Sequence, residues 1–152
     1  MRAITVQQPW TWAIIHGGKT IENRTQLGTW LPARESRIAI QAGTRWPKRA
    51  AESPLVKAAW WSEHNSCDDG EPIPAQPLPR WLLDEDEDFG VIIGTVLVDD
   101  VHLADSCCHP WGESEPGKVH LVLAGPRACD PIPFRGNLGL LTLPDNIAEQ
   151  LA

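Results

Sequence analysis

The sequence predicts an α+β fold: a small barrel-like sheet of five to seven mostly antiparallel strands with two or three flanking helices. Three observations carry this. Alternating or apolar segments of strand character recur at residues 3–6, 36–43, 89–105 and 118–129. Helical periodicity is confined to a few short stretches, so the strands do not alternate with helices as βαβ units require. At 152 residues the chain is one domain's length and buries a core without staples.

The elements follow in order. "AITV" (residues 3–6) is a short strand. "PWTWAIIHGG" is a short helix: Pro9 suits its first position, and Trp10, Ala13 and Ile14 fall on one stripe. Trp12 and Ile15 cover another side, and Gly17 or Gly18 supplies a left-handed stop. "KTIENR" has strand character around Thr20-Ile21, and "SRIAIQAG" (36–43) alternates up to Gly43. Residues 44–64 carry a helical pattern that Pro47 and Pro54 divide in two, with the Trp60-Trp61 pair inward. Residues 66–88 are rich in proline and acid, an insertion or lid-like loop outside the core, and the "DEDED" run at 84–88 reads as solvated. "FGVIIGTVLVDDVHLAD" (89–105) is the strongest strand. "KVHLVLAGPRAC" (118–129) is a strand and turn, "IPFRGNLGLLTLP" (132–144) a turn-flanked strand pair, and "PDNIAEQLA" a short helix.

Composition excludes several classes. The chain is 42% hydrophobic and 22% charged, which suits a soluble globular protein rather than a disordered one. No apolar run approaches the roughly 18 residues that span a membrane, and the N-terminus has no signal-peptide pattern, so the expected location is cytoplasmic with no membrane partner. The net charge of −7 conceals a division: residues 1–50 hold eight basic and two acidic side chains, +6, and residues 51–152 carry −13. Partners respond to the local field, so the basic first third can face phosphates. Eight tryptophans and no tyrosine supply stacking faces, most of them for the core. Of the four cysteines (67, 107, 108 and 129), none forms a CxxC pair. "CCHP" at 107–110 looks metal-like, but adjacent cysteines point different ways, so no metal site and no cofactor is expected. His120, inside a strand, reads as a core histidine. There is no P-loop, no GxGxxG and no Ser-His-Asp arrangement.

"QPW" followed by a short helix, then "GGKTIENR" fitting G-x-K-x-x-E-x-R, resembles the ASCH domain of the PUA-like superfamily, in its bacterial and phage-type form. "IAIQAGTRW", "GVIIGTVLVDDVH", "PWGESEPGKVHLVLAGPR" and "PIPFRGNLGLLTLP" resemble further segments of the family in the same order. The resemblance covers nearly the whole chain apart from residues 47–88. It implies a PUA-like β-barrel with a cleft, and RNA or nucleotide-related ligands, with DNA as a second partner to consider. Some members are amidohydrolases of acylated cytidine and others ribonucleases, so an enzyme of either type is the alternative reading. A protein-interaction module using Trp60-Trp61 and the acidic loop is a third.

The signature residues form the expected cleft floor. In the hydrolase branch the lysine at the position of Lys19 is the base. A lysine beside a Trp-rich helix is open to desolvation, which favours its neutral form. Alternatively Lys19 stays charged and grips a phosphate or carbonyl oxygen. Glu22 and Arg24 lie two apart on a strand and share a face, either paired with each other or presented to one ligand. The cytidine-acting members carry threonine where this chain has Glu22 and use a second, distant glutamate that this sequence does not align. Glu22 is therefore the carboxylate expected to assist Lys19. Gln8 and Trp10 of "QPW", Arg45 and Trp46 after the strand ending at Gly43, and Trp111 in "HPWG" are the further ligand-binding candidates, with core packing the alternative for Trp10. Arg135-Gly136-Asn137 sits at a turn and is either a phosphate contact or a plain turn.

Overall fold

Alternation along the first strand divides the molecule into two packed sides. In β1 (Arg2–Gln7), Ile4 and Val6 enter one apolar cluster while Ala3 enters another on the opposite face. The computed structural model describes residues 1–25, 31–64, 73, 75–84 and 88–152. Six strands form one sheet in the order β2-β5-β4-β3-β1-β6. Here β2 is Ile21–Thr25, β3 Ser36–Gly43, β4 Val91–Leu103, β5 Lys118–Pro133 and β6 Leu140–Thr142. β1 and β3 run parallel, and every other neighbouring pair is antiparallel. The sheet curls into a half-barrel of the α+β class, as expected.

The curl has a local origin. Between Leu97↔Ala124 and Thr95↔Arg127, Gly125 and Pro126 of β5 oppose the single Val96 of β4. Such a bulge adds twist and bends the strand. Gly125 takes φ 49° there. The expected turn at "AGPR" is therefore a bulge inside one long strand. The expected strand pair over 132–144 is corrected as well: residues 132 and 133 end β5 by pairing with Ile92 and Val91, and β6 pairs with β1 instead.

Four α-helices lie among the described residues, one more than the upper expectation: α1 Trp10–Ile15, α2 Lys48–Ala51, α3 Pro54–His64 and α4 Asp145–Ala148. α1 packs its Ile14 and Ile15 into the sheet's inner cluster with Ile4, Val6, Ile38, Ile40, Val96 and Leu121. Its other side joins a second cluster of Trp12, Val56, Trp60, Leu78, Leu83 and Phe89. Trp60 stacks on His64 at 3.8 Å and tilts against Trp12 at 4.8 Å, so it is core rather than an exposed interaction face. Leu78 and Leu83 are buried as well. The described part of the 66–88 segment thus contributes core residues instead of standing outside the core; residues 65–72, 74 and 85–87 lie outside the described set. On the outer face, Ile147 and Leu151 cover Ala3, Ala39 and Ile92. No helix among the described residues is long and apolar enough to cross a membrane.

Candidate functional site

The glycine pair after α1 sets the geometry of the site. Gly18 takes φ 68°, the left-handed stop that an L side chain resists. Gly17 supplies room: a Cβ there would lie 2.8 Å from the Trp12 ring. The chain doubles back, and the Lys19 N–H donates to the Ala13 carbonyl at 2.9 Å. Lys19 is only 4% exposed and Glu22 8%. The Lys19 ammonium donates to the Ile21 carbonyl and to Glu22 Oε2 at 3.0 Å, and lies 5.6 Å from the Trp10 ring centroid. Glu22 Oε1 faces Arg24 Nη1 at 3.6 Å. Arg24 Nη1 also donates to the Thr5 carbonyl at 3.1 Å, linking edge strand β2 to β1. One carboxylate therefore sits between two cations.

Two adjoining cavities open on this triad. The smaller, about 460 Å³, is lined by Trp10, Lys19, Glu22, Asn23, Arg49, Trp111, Glu113 and Lys118 among others. The larger, about 1020 Å³, is lined by Trp10, Glu22, Arg24, Gln41, Arg45, Arg135, Gly136 and Asn137 among others. Gln7, Trp10 and Glu22 border both, so the two form one cleft. Together the walls carry six cationic side chains against two acidic ones, a local surplus of four in a chain of net charge −7. Arg45 and Arg135 are exposed and have no ion pair among the described residues. The floor of the larger cavity also holds Thr5 Oγ1 and Gln41 Oε1, buried without hydrogen-bond partners and covered by Gly136, where a Cβ would collide with both.

Of the expected ligand-binding residues, Trp10, Lys19, Glu22, Arg24, Arg45 and Trp111 line the cleft. Two do not. Gln8 is fully buried; its Nε2 donates to the Asp88 carbonyl at 2.8 Å and its Oε1 accepts from the Trp12 N–H at 3.0 Å, which ties down the start of α1. Its neighbour Gln7 is the glutamine that reaches the cleft. Trp46 packs against Phe89 at 6.1 Å and donates Nε1 to the Leu78 carbonyl at 3.2 Å, so its ring is held in the second cluster.

The sequence reading missed the clamp on the facing loop. Asn23, between the two charged signature residues, donates Nδ2 to the Trp111 carbonyl and accepts from the Glu113 N–H, both at 2.9 Å. That side chain sets Trp111 at the rim. Burial alone would push the Glu113 carboxyl up; hydrogen bonding and charge from Arg49 and the Lys118 ammonium, 3.4 Å away, outweigh it and hold the group below the usual carboxylate range. Only the cross-chain topology brings Arg49, Glu113 and Lys118 to one wall, and no local motif announces it.

One geometric expectation is corrected outright. Cys107 and Cys108 do not diverge. Cys108 takes φ 63°, which turns the chain so that both thiols face His102 and His120, with one donor atom from each of the four residues within 4.8 Å of the others. The signal was the repeated "VHL" at 101–103 and 119–121, which antiparallel pairing sets directly opposite, His102 against His120.

No protein-family model matches the chain, and no curated protein matches it. Solved structures do. The crystal structure of ASCH from Zymomonas mobilis superposes with a TM-score of 0.56 at 15% identity, covering 98% of this chain and 91% of that one. Two point mutants of the same Zymomonas protein give 0.53 and 0.54 at 15% identity, each covering 97% of this chain and 91% and 93% of theirs. The fold is that of the ASCH domain. In this ASCH fold the cleft is bounded by β2, by α1, and by the loops at 44–49, 110–113 and 134–138.

Proposed function

We propose that this ASCH-fold protein binds RNA or a modified nucleoside in the two-part cleft. The observation that carries the reading is the cationic surplus of four within an acidic chain, flanked by two rim tryptophans. Phosphates are attracted by Arg45 and Arg135, whose guanidinium groups have no acidic partner to displace among the described residues. A base stacks on Trp10 or Trp111, and its polar edge meets the Glu22 carboxylate, an acceptor suited to an exocyclic amine. Base–aromatic stacking is worth about 1–3 kcal/mol per base. The smaller cavity falls within the roughly 300–1,000 Å³ of ordinary ligand sites. Lys19 acts in this reading as the cation that holds Glu22 in place, because both of its contacts use it as a donor.

The test is fluorescence anisotropy with labelled single-stranded RNA and DNA of mixed sequence, and calorimetry with N4-acetylcytidine. Wild type binds at least one of them, and Trp111→Ala weakens that binding about tenfold. No binding across the panel, or equal binding by the variant, sinks the proposal.

A hydrolase is the second reading, and one observation favours it: Glu113 shares the smaller cavity with Lys19 and Glu22, as the second carboxylate such chemistry asks for. Incubation with N4-acetylcytidine and with labelled RNA separates the two. Product that disappears with Glu113→Gln supports the enzyme; bound but unchanged ligand supports the binding module.

A further inference from the structure

The geometry points to a tetrahedral metal site, of the kind that takes Zn²⁺, built from His102, Cys107, Cys108 and His120. His102 on β4 and His120 on β5 are directly paired across the ladder, with ring centroids 5.3 Å apart. The β4–β5 connection folds back over them and brings the cysteine pair down. Cys107 Sγ lies 3.5 Å from His120 Nδ1, and Cys108 Sγ lies 3.5 Å from His102 Nε2. A zinc ion with sulfur at 2.3 Å and nitrogen at 2.0–2.1 Å has a sulfur-to-nitrogen tetrahedral edge of about 3.5 Å. Those two edges are already in place, and drawing the remaining atoms in by about 1 Å closes the set.

The histidine tautomers agree with this independently. His120 Nε2 meets the Glu113 carbonyl at 2.9 Å, and a carbonyl only accepts, so Nε2 carries the proton and Nδ1 offers its lone pair to the thiol side. His102 Nδ1 meets the Leu103 carbonyl at 2.9 Å, which leaves Nε2 with the lone pair facing Cys108. Each ring thus has its outer nitrogen fixed by a backbone carbonyl, the arrangement that orients metal-ligating imidazoles.

The loop's backbone is shaped around the cluster. Ser106 and Cys108 take φ of 47° and 63°, a region that residues with a Cβ occupy at a cost. Gly112 leaves no room for a side chain: a Cβ there would lie 2.6 Å from the Cys107 carbonyl oxygen and 2.9 Å from both Cys108 Cβ and His120 Cε1. Two thiols and two imidazoles match the donor set of structural zinc and not of magnesium or calcium. Three of the four residues are partly exposed, which gives an ion a way in. Binding exchanges two thiol protons for the ion, and both protons leave to solvent. Four protein ligands leave no open position, so the site is a staple. It fastens the segment that presents Trp111 and Glu113 to the smaller cavity, through the Glu113 carbonyl on His120.

The experiment is metal titration of the full chain, stripped with chelator under reducing conditions. With Co²⁺ as the probe, the strong visible bands of tetrahedral thiolate coordination rise to a single equivalent and are then displaced by Zn²⁺. Cys129→Ser, which spares the cluster, behaves as wild type. Cys108→Ser and His102→Ala lose the Co²⁺ bands and bind Zn²⁺ at least about tenfold more weakly, with circular dichroism confirming that each is folded. The wild-type spectrum decides the matter even where a variant fails to fold. Weak, octahedral-type Co²⁺ bands, or bands abolished by Cys129→Ser, overturn the site.

Discussion

In the smaller cavity Lys19 meets Glu22 at 3.0 Å and Glu113 is held between Arg49 and Lys118; in the larger one Arg45 and Arg135 stand exposed without an acidic partner among the described residues. The same cleft therefore uses charge in two ways. The buried Lys19–Glu22 pair fixes positions, since moving either member leaves the other buried without that partner. Unpaired exposed cations leave their field available to a ligand and hold little of the fold together. The first arrangement suits discrimination of a base edge, the second attraction of a backbone.

This contrast gives its largest effect at Lys19. Lys19→Ala leaves the Glu22 carboxylate buried with only Arg24 at 3.6 Å, and urea unfolding shows a loss of about 3 kcal/mol, the low end for a broken buried pair. The double variant Lys19→Met/Glu22→Leu regains most of that stability yet does not regain binding. Unchanged stability in the single variant breaks the distinction between the two cavities.

Gly136→Ala comes next. The added methyl collides with Gln41 and Thr5 and forces the 134–138 loop outward, costing about 1–3 kcal/mol by thermal unfolding and reshaping the larger cavity alone.

Arg45→Ala/Arg135→Ala is expected to act in the opposite sense. Stability stays within about 0.5 kcal/mol, while the dependence of single-stranded RNA affinity on log salt falls by about 0.7 for each phosphate that is no longer neutralised. A stability loss without a change of slope makes these residues structural.

The smallest effect is at Glu113. A carboxyl held below its unfolded value adds stability above about pH 4.3 and loses it as pH falls through the lower folded value. Arg49 is 63% exposed, so screening keeps the contribution to about 0.2–1 kcal/mol. Glu113→Gln lowers stability at neutral pH by that amount, leaves it nearly unchanged below the folded value, and so flattens the acid limb of a stability–pH profile.

Local pattern made much of this molecule legible. The strands at 36–43 and 89–105, the short buried helix and its glycine stop all follow from periodicity and backbone preference. The meeting of Lys19, Glu22 and Arg24 was legible too, because they lie within six residues and one strand face collects two of them. What escaped depends on register and distant pairing. Gly125-Pro126 carries the same local turn signal whether the chain turns or bulges, and only β4 decides. Gln7 and Gln8 are adjacent, and which of them faces the cleft depends on where α1 begins. Asn23's hold on the 111–113 loop and the meeting of His102 with His120 both require the β2-β5-β4 order, which no short segment encodes.

The most direct test of nucleotide binding is a crystal structure with a short single-stranded oligoribonucleotide. The expected result is a phosphate within hydrogen-bond distance of Arg45 or Arg135 and a base stacked on Trp10 or Trp111, with its edge toward Glu22. An oligonucleotide seated outside both cavities, with the cleft unchanged, contradicts it.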